Sequence, residues 1–103
     1  MAMSSKRRAE LRAEAHHLKP SVHVGQQGMT SALLHSLDDA LRTHELVKIQ
    51  VSRRSPTAVR DMVPELARRL HADIVQVIGG TASLYRENPT LERKPDAPPP
   101  WRR

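Results

Sequence analysis

Apolar residues recur along the chain at helical spacing in three segments. Leu11, Ala15 and Leu18 predict a first helix, which either Ser4 or Ser5 can cap and which Pro20 ends. Thr30 is suited to cap a second helix, whose apolar side consists of Leu33, Leu34, Leu37, Ala40 and Leu41. A hydrophobic staple between Met29 and Leu34 would support its start.

The third helical segment follows the polar, basic loop that contains Arg53 and Arg54. Ser55 is placed to cap it, and Pro56 is placed to occupy the first helical position. Its apolar stripe consists of Val59, Met62, Val63, Leu66, Ala67 and Leu70. Pro64 interrupts the stripe, but the period persists beyond it, so we expect one bent helix.

Four shorter stretches have the character of strands. Residues 22–24 form the first, and residues 46–51 alternate so that Val47, Ile49 and Val51 face inward while Lys48 and Gln50 face outward. Residues 73–78 and 81–86 are rich in β-forming residues, and the Gly79-Gly80 pair between them predicts a tight hairpin.

The predicted order of elements is α-β-α-β-α-β-β. It indicates a two-layer α/β domain with a four-stranded mixed sheet over residues 1–86. Residues 87–103 contain five prolines and little to bury, and we expect an extended or disordered tail. Trp101 lies beside two arginines there, where it either stacks on a nucleobase or has no function.

The turn from the first strand to the second helix has the sequence Gly25-Gln26-Gln27-Gly28. Glycines three apart allow positive φ values and leave room for a ligand close to the backbone. The helix that follows directs free N–H groups and the positive end of its dipole at the loop, an arrangement that favours a phosphate. Residues 21–36 include no acidic side chain that would repel one. A turn that needs glycine only for its geometry remains the alternative.

The charge of the chain favours a polyanionic partner. The net charge is +6 and the pI is about 10.8. Residues 1–86 carry 13 basic and 8 acidic side chains, so most of the excess belongs to the predicted domain. Four of these cations, Lys6, Arg7, Arg8 and Arg12, crowd the start of the first helix, where they oppose its dipole. They mark either a binding face or a solvated surface.

Several other classes of protein are disfavoured. The chain has no cysteine, and its six histidines are scattered, so we expect no metal site and no cofactor. The catalytic and nucleotide-binding motifs that we considered are absent, so we do not expect an enzyme. Apolar runs reach only three residues, so we expect a cytoplasmic protein without a membrane partner, and a monomer.

Several stretches together resemble the CRM domain (chloroplast RNA splicing and ribosome maturation), and in particular its small stand-alone YhbY-like bacterial members. The matching residues are Leu11, the run 15–20, Val22, Val24, Gly25, Gly28, Met29, Thr30, and the runs 45–48, 75–79 and 84–86. The chain departs from the family pattern at Gln26, Met29, Pro64 and Gly80. The resemblance implies a fold similar to the C-terminal domain of a translation initiation factor.

The resemblance also implies a function, namely RNA binding and a role in assembly of the large ribosomal subunit. We therefore expect ribosomal RNA of the large-subunit precursor as the partner, bound through the glycine loop and the basic first helix. The expected RNA-binding residues are Gly25, Gln26, Gln27, Gly28, Thr30, Lys6, Arg7, Arg8, Arg12, Lys19, Arg53, Arg54 and Arg86.

Three alternatives remain open from the sequence. The chain is a general RNA-binding protein, a K-homology-like module, or a protein adaptor without RNA specificity. A K-homology module places its G-x-x-G loop between two helices, so the structure immediately before Gly25 separates that alternative from a CRM domain. The dependence of binding affinity on salt concentration separates RNA binding, which weakens steeply as salt rises, from apolar docking.

Overall fold

The computed structural model describes residues 3–91 and 96–102. Three helices alternate with four strands in the predicted order: α1 (Ser5–His16), β1 (Val22–Val24), α2 (Ser31–His44), β2 (Leu46–Val51), α3 (Val59–Leu70), β3 (Asp73–Ile78) and β4 (Thr81–Tyr85), followed by a short 3₁₀ turn (Pro100–Arg102). The mixed α/β class, the order of elements and the four-stranded mixed sheet are confirmed. None of the helices in the described part of the chain has the length and apolar character needed to span a bilayer.

The sheet has the strand order β1-β2-β4-β3. Strand β1 pairs parallel to β2, and β4 pairs antiparallel to both β2 and β3, so β1 and β3 are the edge strands. Gly79 and Gly80 form the predicted two-residue hairpin turn, in which Ile78 pairs with Thr81 and Gly79 has a φ of 56°. We call the end of the sheet where β1 and β2 finish the loop end.

Helices cover both faces of the sheet, which differs from the expected two layers. On one face, α2 and α3 pack their leucines and valines on Val47, Ile49, Val51, Ala82 and Leu84. On the other face, α1 buries Leu11 and Ala15 against Leu46, Val75 and Tyr85. Because side chains alternate along a strand, Leu46 and Val47 enter different cores. The predicted inward orientation of Val47, Ile49 and Val51 and the exposure of Gln50 are confirmed, whereas Lys48 is half-buried and donates to the carbonyls of Ala15 and Leu18, both at 3.3 Å.

The helix boundaries follow local capping in two of three cases. Ser4 and Thr30 cap α1 and α2 by accepting hydrogen bonds from the backbone N–H groups of Arg7 and Leu33, both at 3.1 Å. The predicted cap of α3 is wrong, because the helix begins at Val59 after Ala58. Helix α3 continues through Pro64 as a single helix, as expected, and its bend remains a prediction.

Ser55 forms a local turn in place of the predicted cap. Its hydroxyl donates to the carbonyl of Thr57 at 2.9 Å and accepts from the N–H of the same residue at 3.3 Å. A serine side chain that is satisfied by its near neighbours no longer caps a helix.

The end of the chain packs against α2, β2 and the core beneath α1, although we expected the tail to have little to bury. Pro100 is buried, and the Trp101 ring meets the Tyr85 ring edge to face, with centroids 6.2 Å apart. The guanidinium of Arg102 pairs with Glu14 of α1. Residues 92–95 lie outside the described part of the chain. The division at residue 86 and the disorder of the tail remain predictions.

Arg86 joins three elements at the end of the sheet opposite the loop end. Its guanidinium donates to the carboxylate of Asp38 at 2.9 Å, to the carbonyl of Asp38 at 3.1 Å and to the carbonyl of Leu70 at 2.9 Å. It therefore links β4 to α2 and to the last turn of α3. The hydrogen bond from Arg86 holds the pKa of Asp38 below its ordinary value of 3.8, with a smaller contribution from Arg42.

We expect Arg86→Ala to lower the free energy of unfolding by about 1–3 kcal/mol, because it removes charge-assisted hydrogen bonds between elements. Urea denaturation followed by circular dichroism measures this loss. A lowered carboxyl pKa stabilises the fold above the ordinary pKa, and the benefit disappears as the pH falls through the lowered value. The difference between variant and wild type should therefore narrow below about pH 4.

The matched control is Arg68→Ala, which removes an exposed pair with Glu65 on the same helix. We expect it to cost at most about 1 kcal/mol. An equal loss in the two variants would contradict a special role of Arg86.

Candidate nucleic-acid interface

The conformation of the turn between β1 and α2 depends on Gly28, and any other residue at this position would be strained. Gly28 is buried, has a φ of 67° and donates its N–H to the carbonyl of Gly25 at 3.1 Å. A Cβ at this position would lie 3.0 Å from Cγ of Pro56. Gly25 differs, because it has no positive φ and a Cβ there would meet nothing within 4 Å. Gly25 is therefore open to the outside, and only Gly28 is required by the fold.

The backbone around this turn presents a row of N–H groups to the outside. Of the eight residues 25–32, only Gly28 donates its backbone N–H to another atom of the described residues. The others include the N–H groups of Gln26 and Gln27 in the loop, and those of Ser31 and Ala32 in the first turn of α2. Such a run, at the positive end of a helix dipole, provides donors for a phosphate.

The loop that follows β2 lies beside this turn, because Pro56 contacts Gly28. It carries Arg53 and Arg54, both exposed, with no side-chain partner among residues 3–91 and 96–102. The structure therefore brings these two predicted cations to the same end of the sheet as residues 25–28 and Thr30. Arg60, at the start of α3, is a further exposed cation near this end that the sequence interpretation missed.

The cations of α1 lie elsewhere. Arg8 donates to the carbonyl of Ile74 at 2.7 Å, and Arg7 donates to the Tyr85 hydroxyl at 3.4 Å and lies over its ring. The hydrogen bond to Tyr85 raises the pKa of Arg7 above its ordinary value. These contacts place the start of α1 on the opposite face from α2 and at the opposite end from the loop.

The remaining predicted cations divide into free and engaged side chains. Lys6 and Arg12 are exposed on α1, and Lys19 is exposed ahead of β1; within the described chain none of the three forms an ion pair. Arg86 already makes the three internal hydrogen bonds described above. The predicted set of binding residues therefore does not form one surface: the loop, Thr30, Arg53 and Arg54 lie together, and Arg7, Arg8 and Arg86 make internal contacts.

A cavity of about 460 Å³ opens between the edge of β1 and the first turns of α2, directly beside the loop. We call it the edge groove. Its floor includes Val22 and Leu33, and its polar rim includes Ser21, Gln27, Thr30 and Ser36. The sequence interpretation missed the groove, although the absence of charge from residues 25–37 was a signal for it.

We expect Gly28→Ala to lower the free energy of unfolding by about 1–3 kcal/mol, because it forces a side chain into left-handed backbone and against Pro56. Gly25→Ala is the matched control, and its effect should stay within about 0.5 kcal/mol. Urea denaturation at neutral pH measures both changes. Equal losses, or a larger loss at Gly25, would contradict the described turn.

Comparison with known proteins gives one family. The family model of the CRS1 / YhbY (CRM) domain matches residues 3–86. The chain is 35% identical over 89 residues to the probable RNA-binding protein PA4753 of Pseudomonas aeruginosa, covering 86% of each protein. It is 34% identical over 96 residues to an RNA-binding protein of Haemophilus influenzae, covering 93% of this chain and 95% of the relative.

A solved structure shares the fold. The solution structure of the hypothetical protein SAV1595 of Staphylococcus aureus, a candidate RNA-binding protein, superimposes with a TM-score of 0.68 at 31% sequence identity. The alignment covers 90% of this chain and 95% of that one. Strand β1 directly before Gly25 also agrees with the expected CRM order and disagrees with a K-homology module, in which a helix precedes the loop.

Proposed function

This chain belongs to the CRS1 / YhbY (CRM) domain family, and from that membership we propose that it binds RNA through the loop end of its sheet. The observation that carries the proposal is the row of unbonded backbone N–H groups in residues 25–32, beside the cations Arg53 and Arg54. The relatives named above as RNA-binding proteins support the choice of partner.

The proposed mechanism is binding without chemistry. Backbone amides of the loop and of the first turn of α2 hold a phosphate, and the positive helix end stabilises its charge. Arg53 and Arg54 contact neighbouring phosphates, for which a planar guanidinium is well suited. Lys6, Arg12 and Lys19 add long-range attraction and are not needed for the contact itself.

We further propose that the RNA is ribosomal RNA of the large-subunit precursor and that the protein acts during subunit assembly. The support is the YhbY-like resemblance together with an interface that contacts the phosphate backbone of the RNA. An interface of this kind needs a further constraint for specificity, and an rRNA surface that is open only in the precursor supplies one. A general RNA binder with the same interface is the second candidate.

We expect the double substitution Gln26→Asp and Gln27→Asp to weaken RNA binding strongly, because it places two negative charges where a phosphate binds. Both side chains are exposed, so the fold should not change. Electrophoretic mobility shifts at several salt concentrations measure the affinity. The slope of log K against log salt should also flatten, by about 0.7–0.9 for each phosphate that the variant no longer neutralises.

The control for this pair is Pro89→Asp with Thr90→Asp, an exposed adjacent pair that changes the net charge equally. It lies at the opposite end of the sheet, since the N–H of Asn88 is bonded to Glu45 just before β2. We expect a small decrease in affinity from charge alone. If the two pairs weakened binding equally, the loop would be a turn that does not touch the RNA.

The assembly role is tested separately, in cells that express the wild type and these two variants. We expect the wild type and the Pro89/Thr90 pair to co-sediment with immature large subunits in sucrose gradients and to be depleted from translating ribosomes. The loop pair should shift to the free fractions, because its loop no longer holds a phosphate. A uniform distribution of the wild type over free RNA and mature ribosomes would leave only the general RNA binder.

A further inference from the structure

The edge groove begins at the G-x-x-G loop, which lines one part of it, and extends along β1 and α2 to residues of different chemistry. No lysine, arginine, aspartate or glutamate among the described residues lines it; its polar residues are Ser21, Thr30 and Ser36 with their hydroxyls, Gln26 and Gln27 with their amides, and His23. Its floor of Val22 and Leu33 is apolar. Away from the turn, toward Val22, Leu33 and Ser36, the groove has no charged side chain, and a flat, uncharged ring with hydrogen-bonding edges fits this floor and rim.

The open edge of β1 adds backbone donors and acceptors to this groove. The carbonyl of Val24 accepts from the N–H of Ser52, which follows β2, at 2.8 Å. Because successive residues of a strand direct their backbone groups to opposite sides, the N–H and C=O of His23 point away from β2 to the free edge. His23 lines the groove, so a ligand there can bond to backbone as the next strand would.

The two neighbouring sites match the two parts of a nucleotide. The loop offers backbone N–H groups for a phosphate, and the groove follows directly, since residues 25–28 line both. The volume of about 460 Å³ falls within the range of pockets that hold small organic ligands. In RNA, a base reaches such a pocket only when it is unpaired and can be splayed out of its strand.

We propose that the edge groove binds one unpaired nucleobase of the RNA whose backbone is held by the loop. This inference rests on the proposed RNA binding and narrows it to single-stranded or bulged RNA. The base lies on Val22 and Leu33 and bonds with its edge to the backbone of His23 and to the hydroxyls of the rim. Duplex RNA offers the loop the same phosphates but has no free base for the groove.

Substitutions that fill the groove without changing the net charge of the protein test this inference. Ser36 is exposed, lines the groove and lies in α2 outside the proposed phosphate contacts of residues 25–32, so Ser36→Leu occupies the space of the base and leaves the helix intact. Ser21→Leu, at an exposed groove position just ahead of β1, is the second variant, should the first fail to fold. The matched control is Ala13→Leu, at an exposed position of α1 outside the groove.

The measured quantities are the dissociation constants for a short single-stranded RNA and for the same strand annealed to its complement, at one salt concentration. We expect wild type to prefer the single strand by roughly tenfold or more. Ser36→Leu and Ser21→Leu should remove this preference while the affinity for duplex stays unchanged. Ala13→Leu should preserve both values.

Two results would overturn the inference: equal affinity of wild type for the two RNAs, or a preference for single strands that survives in the groove-filled variants. Both leave the phosphate contacts of the loop in place, so the proposed function would stand. A wild type that bound neither RNA would instead refute the proposed function, and the inference with it.

Discussion

The turn from β1 into α2 has to be completed within a few residues, because both elements are held in the core by Val22, Val24 and Leu33. Gly28 makes this possible by its positive φ and by lying against Pro56, where a side chain would collide. Within the turn, the bond from the Gly28 N–H to the Gly25 carbonyl is the one internal backbone hydrogen bond among the described residues. The other N–H groups of the turn have no partner among the described residues, and they form the candidate phosphate site.

The arginines likewise divide into side chains that stabilise the fold and side chains that remain free at the surface of the described chain. Arg86 and Arg8 donate to carbonyl oxygens of other elements and so position α1, α2 and α3 on the sheet. Arg53 and Arg54 make no such contact within the described residues and lie beside the turn. A count of basic residues treats these side chains as equal, whereas their contacts assign the first two to stability and leave the last two available to a partner.

Features set by neighbouring residues were predictable from the sequence. Ser4 and Thr30 cap their helices, the Gly79-Gly80 pair forms its hairpin, and the helix around Pro64 stays single, because each outcome depends on residues within one turn. Ser55 was mispredicted, since two local structures compete for its hydroxyl.

Features that depend on strand order or on distant contacts could not be predicted from the sequence pattern. The internal role of Arg86 depends on Asp38, which is 48 positions away in the chain. The packing of Trp101 on Tyr85 and the placement of α1 on its own face of the sheet are of the same kind. The edge groove exists because β1 is an edge strand, which follows from the pairing of all four strands.

The central claim is that RNA meets the protein at residues 25–32. Its most direct test is a titration of the isotopically labelled protein with single-stranded RNA, followed by the backbone amide signals in nuclear magnetic resonance spectra. We predict that the largest shifts occur at the amides of residues 25–32 and of Arg53 and Arg54, while those of Glu45 and Asn88 at the opposite end stay unchanged. Shifts concentrated on α1 or around Tyr85, with the turn unaffected, would contradict the account.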